Sequence, residues 1–143
     1  MNLDAGSGFA QTHKHITEAI HLDVQRTKTV NVIGDVQHLP FCDKAFDHSF
    51  CLHVLEHVKD PILAIRELIR VTKQIIEIEV PYRFSWNAKQ KRDNPFDNHI
   101  WSFDYNWFSK VLRNYSYHEE KLYYWPRTFY IHVYIYPSLS RQV

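Results

Sequence analysis

Short apolar runs alternate along this chain with stretches whose apolar positions recur every three or four residues, the pattern of a parallel sheet joined by helical crossovers. Leu3 and Asp4 form the stub of a first strand, and residues 9–16 suit about two turns of helix. Residues 19–24, 30–34 and 47–52 predict three further strands. Asp60 then offers an N-cap and Pro61 a first helical position, with Ile62, Ile65, Leu68 and Ile69 on one face and Arg70 and Lys73 near the negative C-terminal end. Residues 74–80 predict a fifth strand that Pro81 stops. A polar segment over 82–102 precedes a second helix over 104–114, which would bury Trp107, Phe108, Val111 and Leu112. Residues 117–125 and 128–136 predict two strands turned back on each other around Pro126. The expected architecture is an α/β fold, a mostly parallel central sheet with an antiparallel C-terminal strand pair.

Composition narrows the class but not the function. A chain of 143 residues suits one domain, and a net charge of +1 gives no general electrostatic case for nucleic acid or an anionic membrane. Cys42 and Cys51 are too few for a disulfide scaffold and lack the paired spacing of a metal knuckle. No apolar run has signal or membrane-spanning length, so the expectation is a soluble, cytoplasmic protein with no membrane span.

The chemistry gathers at strand ends. Asp4, Asp23 and Asp35 each close one of three successive predicted strands, and Gly6 and Gly8 allow a tight turn after the first. In an open parallel sheet, ligands bind in the crevice beyond those ends. An acid after the second strand can accept hydrogen bonds from ribose hydroxyls, and one after the third from the exocyclic amine of adenine. The competing reading of each Asp is a cap on a following turn. Three of them in phase with a glycine turn favour a nucleotide-type ligand.

On Leu3-Asp-Ala-Gly-Ser-Gly-Phe-Ala10, Leu22-Asp23, residues 34–41, Phe46-Asp47, Val54-Leu-Glu-His-Val58, Asp60-Pro61, Glu67-Leu-Ile-Arg-Val71 and Val80-Pro81, the chain resembles the class I S-adenosylmethionine-dependent methyltransferases, in particular their small-molecule and lipid branch. The resemblance spans about residues 2–81 and implies a Rossmann-like methyltransferase fold. It implies that Asp4, Ala5, Gly6, Ser7 and Gly8 hold the methionine end of S-adenosylmethionine, that Asp23 and Val24 hold the ribose, and that Asp35 and Val36 hold the adenine. Leu52 and His53 would line the methionine side, and His57 would face the acceptor entrance. A nicotinamide-binding site fits less well, since Gln11 stands where that fingerprint wants a third glycine. No metal site assembles from spacing. His13 and His15 lie two apart, and His53 and His57 lack the H-E-x-x-H arrangement.

Three departures from the family pattern stand out. Almost nothing precedes the first strand, which leads to the expectation of an N-terminally minimal domain without cap helices. Residues 24–29 are too few for a crossover helix, and Thr72-Lys73-Gln74 replaces the usual glycine-rich turn. The implied reaction is an SN2 transfer of methyl to a small-molecule or lipid-like acceptor, with His57, His53 or His99 able to take a proton. The alternative is a non-catalytic S-adenosylmethionine-binding or scaffold protein with an open site. Arg83, Trp86, Lys89, Lys91, Arg92, His99 and Trp101 make 82–103 the expected acceptor segment. Cations among aromatics also suit RNA, which is a weaker reading than a solvated face. All Phe, Tyr and Trp residues except Phe9, Phe41, Phe46 and Phe50 lie between Tyr82 and Tyr136, which suits an aromatic pocket, a homodimer interface or the packing of two aromatic strands.

Overall fold

The computed structural model describes residues 1–8, 16, 18–84, 98–124 and 128–139. Residues 9–15 of the first predicted helix, Gln11, His13 and His15 among them, and Trp86, Lys89, Lys91, Arg92 and Pro126 lie outside them. The strands are β1 (Asn2–Ala5), β2 (Ala19–Asp23), β3 (Val32–Ile33), β4 (Phe46–Leu52), β5 (Thr72–Pro81), β6 (Ser116–Tyr124) and β7 (Thr128–Tyr136), with helices α1 (Pro61–Val71) and α2 (Tyr105–Val111). They form one seven-stranded sheet in the order β3-β2-β1-β4-β5-β7-β6. The first five of these are parallel, and β7 runs antiparallel to both β5 and β6. The mostly parallel sheet with an antiparallel C-terminal pair is therefore as the sequence predicts. Strand order reverses at β1/β4, the point where such sheets open a crevice. No helix lies between β2 and β3, so the short crossing expected from the residue count is what forms.

Helix α1 begins as its sequence dictates. Asp60 Oδ1 accepts from the Ile62 and Leu63 amides at 3.0 Å, and Pro61 takes the first position. Its buried face differs from the expected stripe, because Pro61, Ala64, Ile65, Leu68 and Val71 point inward while Ile62 stays 40% exposed. Ile62 lies one position off the row that the sheet covers.

The expected turn at Thr72-Lys73-Gln74 does not form. These three residues open β5 directly, and Thr72 is both the helix cap and the first strand residue. The Thr72 amide donates to Leu68 O, while Lys44 Nζ donates to the carbonyls of Ile69 and Thr72. Orphan carbonyls that a glycine turn would otherwise serve are met by these groups, so no glycine is needed. Thr72 Oγ1 also shares a buried 2.6 Å hydrogen bond with Ser49 Oγ. Arg70, rather than only balancing the helix end, ties Glu67 and Asp43 to the carbonyls of Leu39 and Phe41.

One sheet face carries the core. Ile76, Ile78 and Val80 of β5 and Ile131, Val133 and Ile135 of β7 are buried in one cluster with Ala64, Ile65 and Leu68 of α1 and with Phe103, Phe108 and Leu112. The opposite face of the same two strands presents Glu77, Glu79, Tyr130, His132 and Tyr134, all half-buried. Strict alternation along β5 and β7 sorts the two sets. In α2, Asp104 caps the Trp107 amide, and the helix stops at Val111, three residues before the expected end.

Candidate functional site

A cleft of about 500 Å³ opens beyond the carboxyl ends of β1, β2 and β3. Gly6, Gly8, Asp23, Val24, Asp35 and Val36 line one side of it, and His53, Val54, His57 and Ile100 the other. The glycine turn brings bare backbone to this cleft. Gly6 has φ +81°, its amide donates to Leu22 O at 2.7 Å, and a Cβ there would overlap Val54 Cγ2. Only glycine suits that combination. Gly8 has φ +52° and open space where a Cβ would stand.

The rim acids are held by their own neighbourhood. Asp23 accepts from the Gly8 amide through Oδ2 and from the Gln25 amide through Oδ1, each at 2.8 Å. Asp35 Oδ1 accepts from the Gln37 amide at 2.8 Å, and Gln37 Nε2 donates to both of its carboxylate oxygens. Gln37 Oε1 in turn accepts from the Asp60 amide at 2.7 Å, which fastens the rim to the start of α1. The turn-capping role and the ligand-facing role are thus compatible, since a carboxylate oxygen that accepts one hydrogen bond keeps a lone pair for another.

The remaining residues expected around the methionine end are buried and do not form the cleft lining. Asp4 is fully buried, with Oδ2 3.0 Å from His21 Nδ1. Ala5 and Leu52 are buried core residues, and the Ser7 hydroxyl is buried with no hydrogen-bond partner.

On the other wall, His53 stands at φ +58° just after β4, a left-handed conformation uncommon for a side-chain-bearing residue. Its amide donates to Glu79 O at 2.8 Å, and its Nε2 lies 2.9 Å from Glu79 Oε1. Nδ1 lies 3.8 Å from Glu56 Oε1. Burial works against charging His53, but the hydrogen bond to Glu79 and the charges of Glu56 and Glu79 win and raise its pKa. Glu79 continues the chain to His132 Nδ1 at 3.3 Å, and His132 reaches Glu77 at 3.4 Å. Burial would raise Glu79, yet hydrogen bonds from His132 and His53 hold it at about 2. Burial likewise opposes charging His132, but Glu77 and Glu79 raise it to about 9.

Glu56, His57 and His99 meet on the same wall of the cleft as His53. Glu56 is 1% exposed, its Oε2 has no hydrogen-bond partner, and burial pushes its carboxyl up to about 7. The His57 and His99 rings pack edge to face with centroids 4.8 Å apart. The segment that carries His99 is pinned in place, because the Ile100 and Trp101 amides both donate to Glu56 O and Trp101 Nε1 donates to Val58 O. Arg83, of the expected acceptor segment, is engaged by Asp104 at 2.6 Å.

Sequence reasoning therefore found both walls but gave no role to Gln37, Glu56, Glu79 or His132. Glu56 did carry a signal, as a lone acid within the apolar run from Val54 to Val58. Glu79 and His132 act through partners distant in sequence, and Gln37 joins nearby Asp35 to Asp60, 23 residues on.

Comparison with known proteins adds family and fold. The family model described as a methyltransferase domain matches residues 3–75. A tRNA U34 carboxymethyltransferase of Nautilia profundicola is 58% identical over 33 residues, 23% of this chain and 11% of that protein. The chain thus spans about a tenth of that relative's length. An S-adenosylmethionine-dependent methyltransferase of Thermotoga maritima superposes with TM-score 0.74 at 16% identity, covering 95% of this chain and 81% of that one. A Burkholderia thailandensis 1,6-didemethyltoxoflavin-N1-methyltransferase, solved with that substrate and S-adenosylhomocysteine, superposes with TM-score 0.70 at 14% identity, covering 94% and 69%. These likenesses show a Rossmann-like methyltransferase fold.

Proposed function

This chain belongs to the methyltransferase-domain family, and from that premise we propose that it binds S-adenosylmethionine in the strand-end cleft and transfers its methyl group to a small-molecule or lipid-like acceptor. The observation that carries the reading is the convergence of the Gly6 cradle, Asp23 and Asp35 on one cleft. The buried, unpartnered Ser7 hydroxyl beside that cradle fits a ligand with polar groups at the methionine end.

When bound, the cofactor supplies a sulfonium methyl that a nucleophile displaces in line. The chain's residues bind, orient and exclude water. Asp23 and Asp35, already fixed by backbone amides, meet hydroxyl and amine donors without reorganising. Val54, Val58 and Ile100 supply apolar wall on the acceptor side. Alignment and desolvation account for most of the acceleration that such a reactive methyl needs. Of the histidines expected to take a proton, His53 is the least suited, because both of its nitrogens face carboxylates that favour its charged form. His57 lines the cleft with His99 packed against it, which puts its ring beside the acceptor without requiring it to act as the base.

An RNA acceptor is the second reading, favoured by the local identity to a tRNA-modifying enzyme. One experiment separates the readings. Calorimetry with S-adenosylhomocysteine tests the cleft, and transfer of tritiated methyl to separate small-molecule, lipid and RNA fractions tests the acceptor. Label in the first two supports the proposal, and label confined to RNA replaces it with the second reading. Binding without transfer to any fraction selects the scaffold alternative, and a folded sample that ignores millimolar S-adenosylhomocysteine ends all three.

A further inference from the structure

The wall opposite the glycine turn holds a buried carboxylate, Glu56, with one oxygen that has no hydrogen-bond partner and two imidazoles close by. His57 Nδ1 lies 3.0 Å from Asn98 O, and a carbonyl only accepts, so Nδ1 carries the hydrogen. In the neutral ring, the Nε2 lone pair then faces Glu56 Oε1, 4.0 Å away. A proton or a metal ion placed between these two acceptors is attracted by both. His99 completes the group, and one potential ligand atom from each of Glu56, His57 and His99 lies within 4.8 Å of the other two.

We propose that Glu56, His57 and His99 bind a divalent first-row transition ion at the edge of the cleft, with its remaining positions open toward the acceptor. Two imidazoles and one carboxylate are a donor set for zinc, manganese, iron or cobalt rather than for calcium or magnesium, which prefer all-oxygen shells. Ligands held at about 2.1 Å from one ion in a tetrahedral shell stand about 3.4 Å apart, so a spread of up to 4.8 Å closes with side-chain shifts of up to about 0.7 Å from each ligand.

The surroundings prepare the site. Asn98 O fixes the tautomer and ring orientation of His57, as outer-shell carbonyls do in metal centres. Glu56 O, by accepting from the Ile100 and Trp101 amides, fixes the backbone on which His99 sits. Glu56 Oε2 is fully buried without a partner, which leaves one carboxylate oxygen wholly uncommitted. His57 and Ile100 both line the cleft, so the open positions can receive an acceptor oxygen. That role rests on the methyl-transfer reading, whereas the site itself rests on the chain's own geometry.

The test is a Co2+ titration of chelator-stripped protein, read by visible absorption and followed by displacement with Zn2+. One Co2+ per chain is expected. His99→Gln and Glu56→Gln should each weaken it by at least about 100-fold, no less than the loss of an outer-shell partner costs. His118→Gln, on the exposed edge beside Glu120, should leave it unchanged. No Co2+ binding by the wild type, or binding that both cleft-side variants retain, overturns the site. Circular dichroism shows whether each variant is folded, and His99→Gln, at a half-buried position, guards against collapse of the buried Glu56→Gln. Titration with S-adenosylhomocysteine separates the two ideas. Its binding without Co2+ sinks the metal site alone, and Co2+ binding without it sinks the methyl-transfer reading alone.

Discussion

The two walls of the cleft are built on opposite plans. On the β1–β3 side, Asp23 and Asp35 are acids whose oxygens already accept from backbone amides within two residues or from the adjoining glycine turn. On the β4 side, Glu56 is buried with one oxygen unpartnered, and its surroundings are drawn from distant parts of the chain, as the His57 to Asn98 contact across 41 residues shows. The first wall is pre-set by local hydrogen bonds, and the second is assembled by tertiary contacts around a carboxylate with an oxygen still unserved. On the proposed reading, a ligand meets a hydrogen-bonded template on one side and satisfies an open valence on the other.

The largest effect should come from the cradle. Gly6→Ala places a Cβ against Val54 at φ +81°, which combines backbone strain with overpacking. The expected cost is about 2–4 kcal/mol of stability, with loss of measurable S-adenosylhomocysteine binding. Gly8→Ala meets nothing and should cost only about 1 kcal/mol. Equal unfolding midpoints and affinities for the two variants would remove the distinction.

Next, Asp23→Ala deletes both the proposed ligand acceptor and the clamp on the Gly8 and Gln25 amides. A charged hydrogen bond is worth about 1.5–3 kcal/mol, so calorimetry should find S-adenosylhomocysteine affinity down roughly 10- to 100-fold. Asp35→Ala should do the same at the adenine end while also freeing Gln37 from its fixed pose. An unchanged affinity in both would mean that these acids serve only their turns.

The difference between the walls also explains what the sequence could disclose. Glycine turns, strand-end acids and the Asp60-Pro61 helix start are local, and each follows from residues within a few positions of one another. The stripe on α1 failed at Ile62 because periodicity marks a face without saying how wide the covering surface is. The missing turn at Thr72 failed because Lys44, 28 residues upstream, serves the helix end. The segment around His99 marks it as a candidate proton acceptor from local sequence alone. Its juxtaposition with Glu56 and His57 needed the fold.

Behind His53, the Glu77–His132–Glu79 relay predicts a pH signature. His132, with Glu77 and Glu79 facing it from β5, Tyr134 stacked on it and Glu120 opposite on β6, is raised from 6.5 to about 9. A raised pKa means that the folded state holds the proton more tightly. The stabilisation is therefore complete below 6.5 and is lost as pH climbs through about 9. Glu79, lowered from 4.5 to about 2, contributes above 4.5 and loses its part as pH falls through about 2. The window of full effect lies between those ordinary values, and both shifts report one shared interaction. His132→Gln should cost on the order of 1–2 kcal/mol within the window and much less above it. Denaturant unfolding at several pH values checks this, and parallel wild-type and variant curves would dismiss the relay.

The smallest effect is the most discriminating, because its two readouts should move in opposite directions. The Ser7 hydroxyl is buried without a partner, so the folded chain bears a desolvation cost of about 1–3 kcal/mol that the unfolded chain avoids. Ser7→Ala removes that group, and the unliganded protein should gain up to about 1 kcal/mol in denaturant unfolding. If the hydroxyl is reserved for the methionine end of the ligand, S-adenosylhomocysteine affinity should fall by about 3- to 10-fold, the worth of one neutral hydrogen bond. Higher stability with undiminished affinity would make Ser7 a packing defect instead of part of the cradle, and would confine the ready-made wall to Gly6, Asp23 and Asp35.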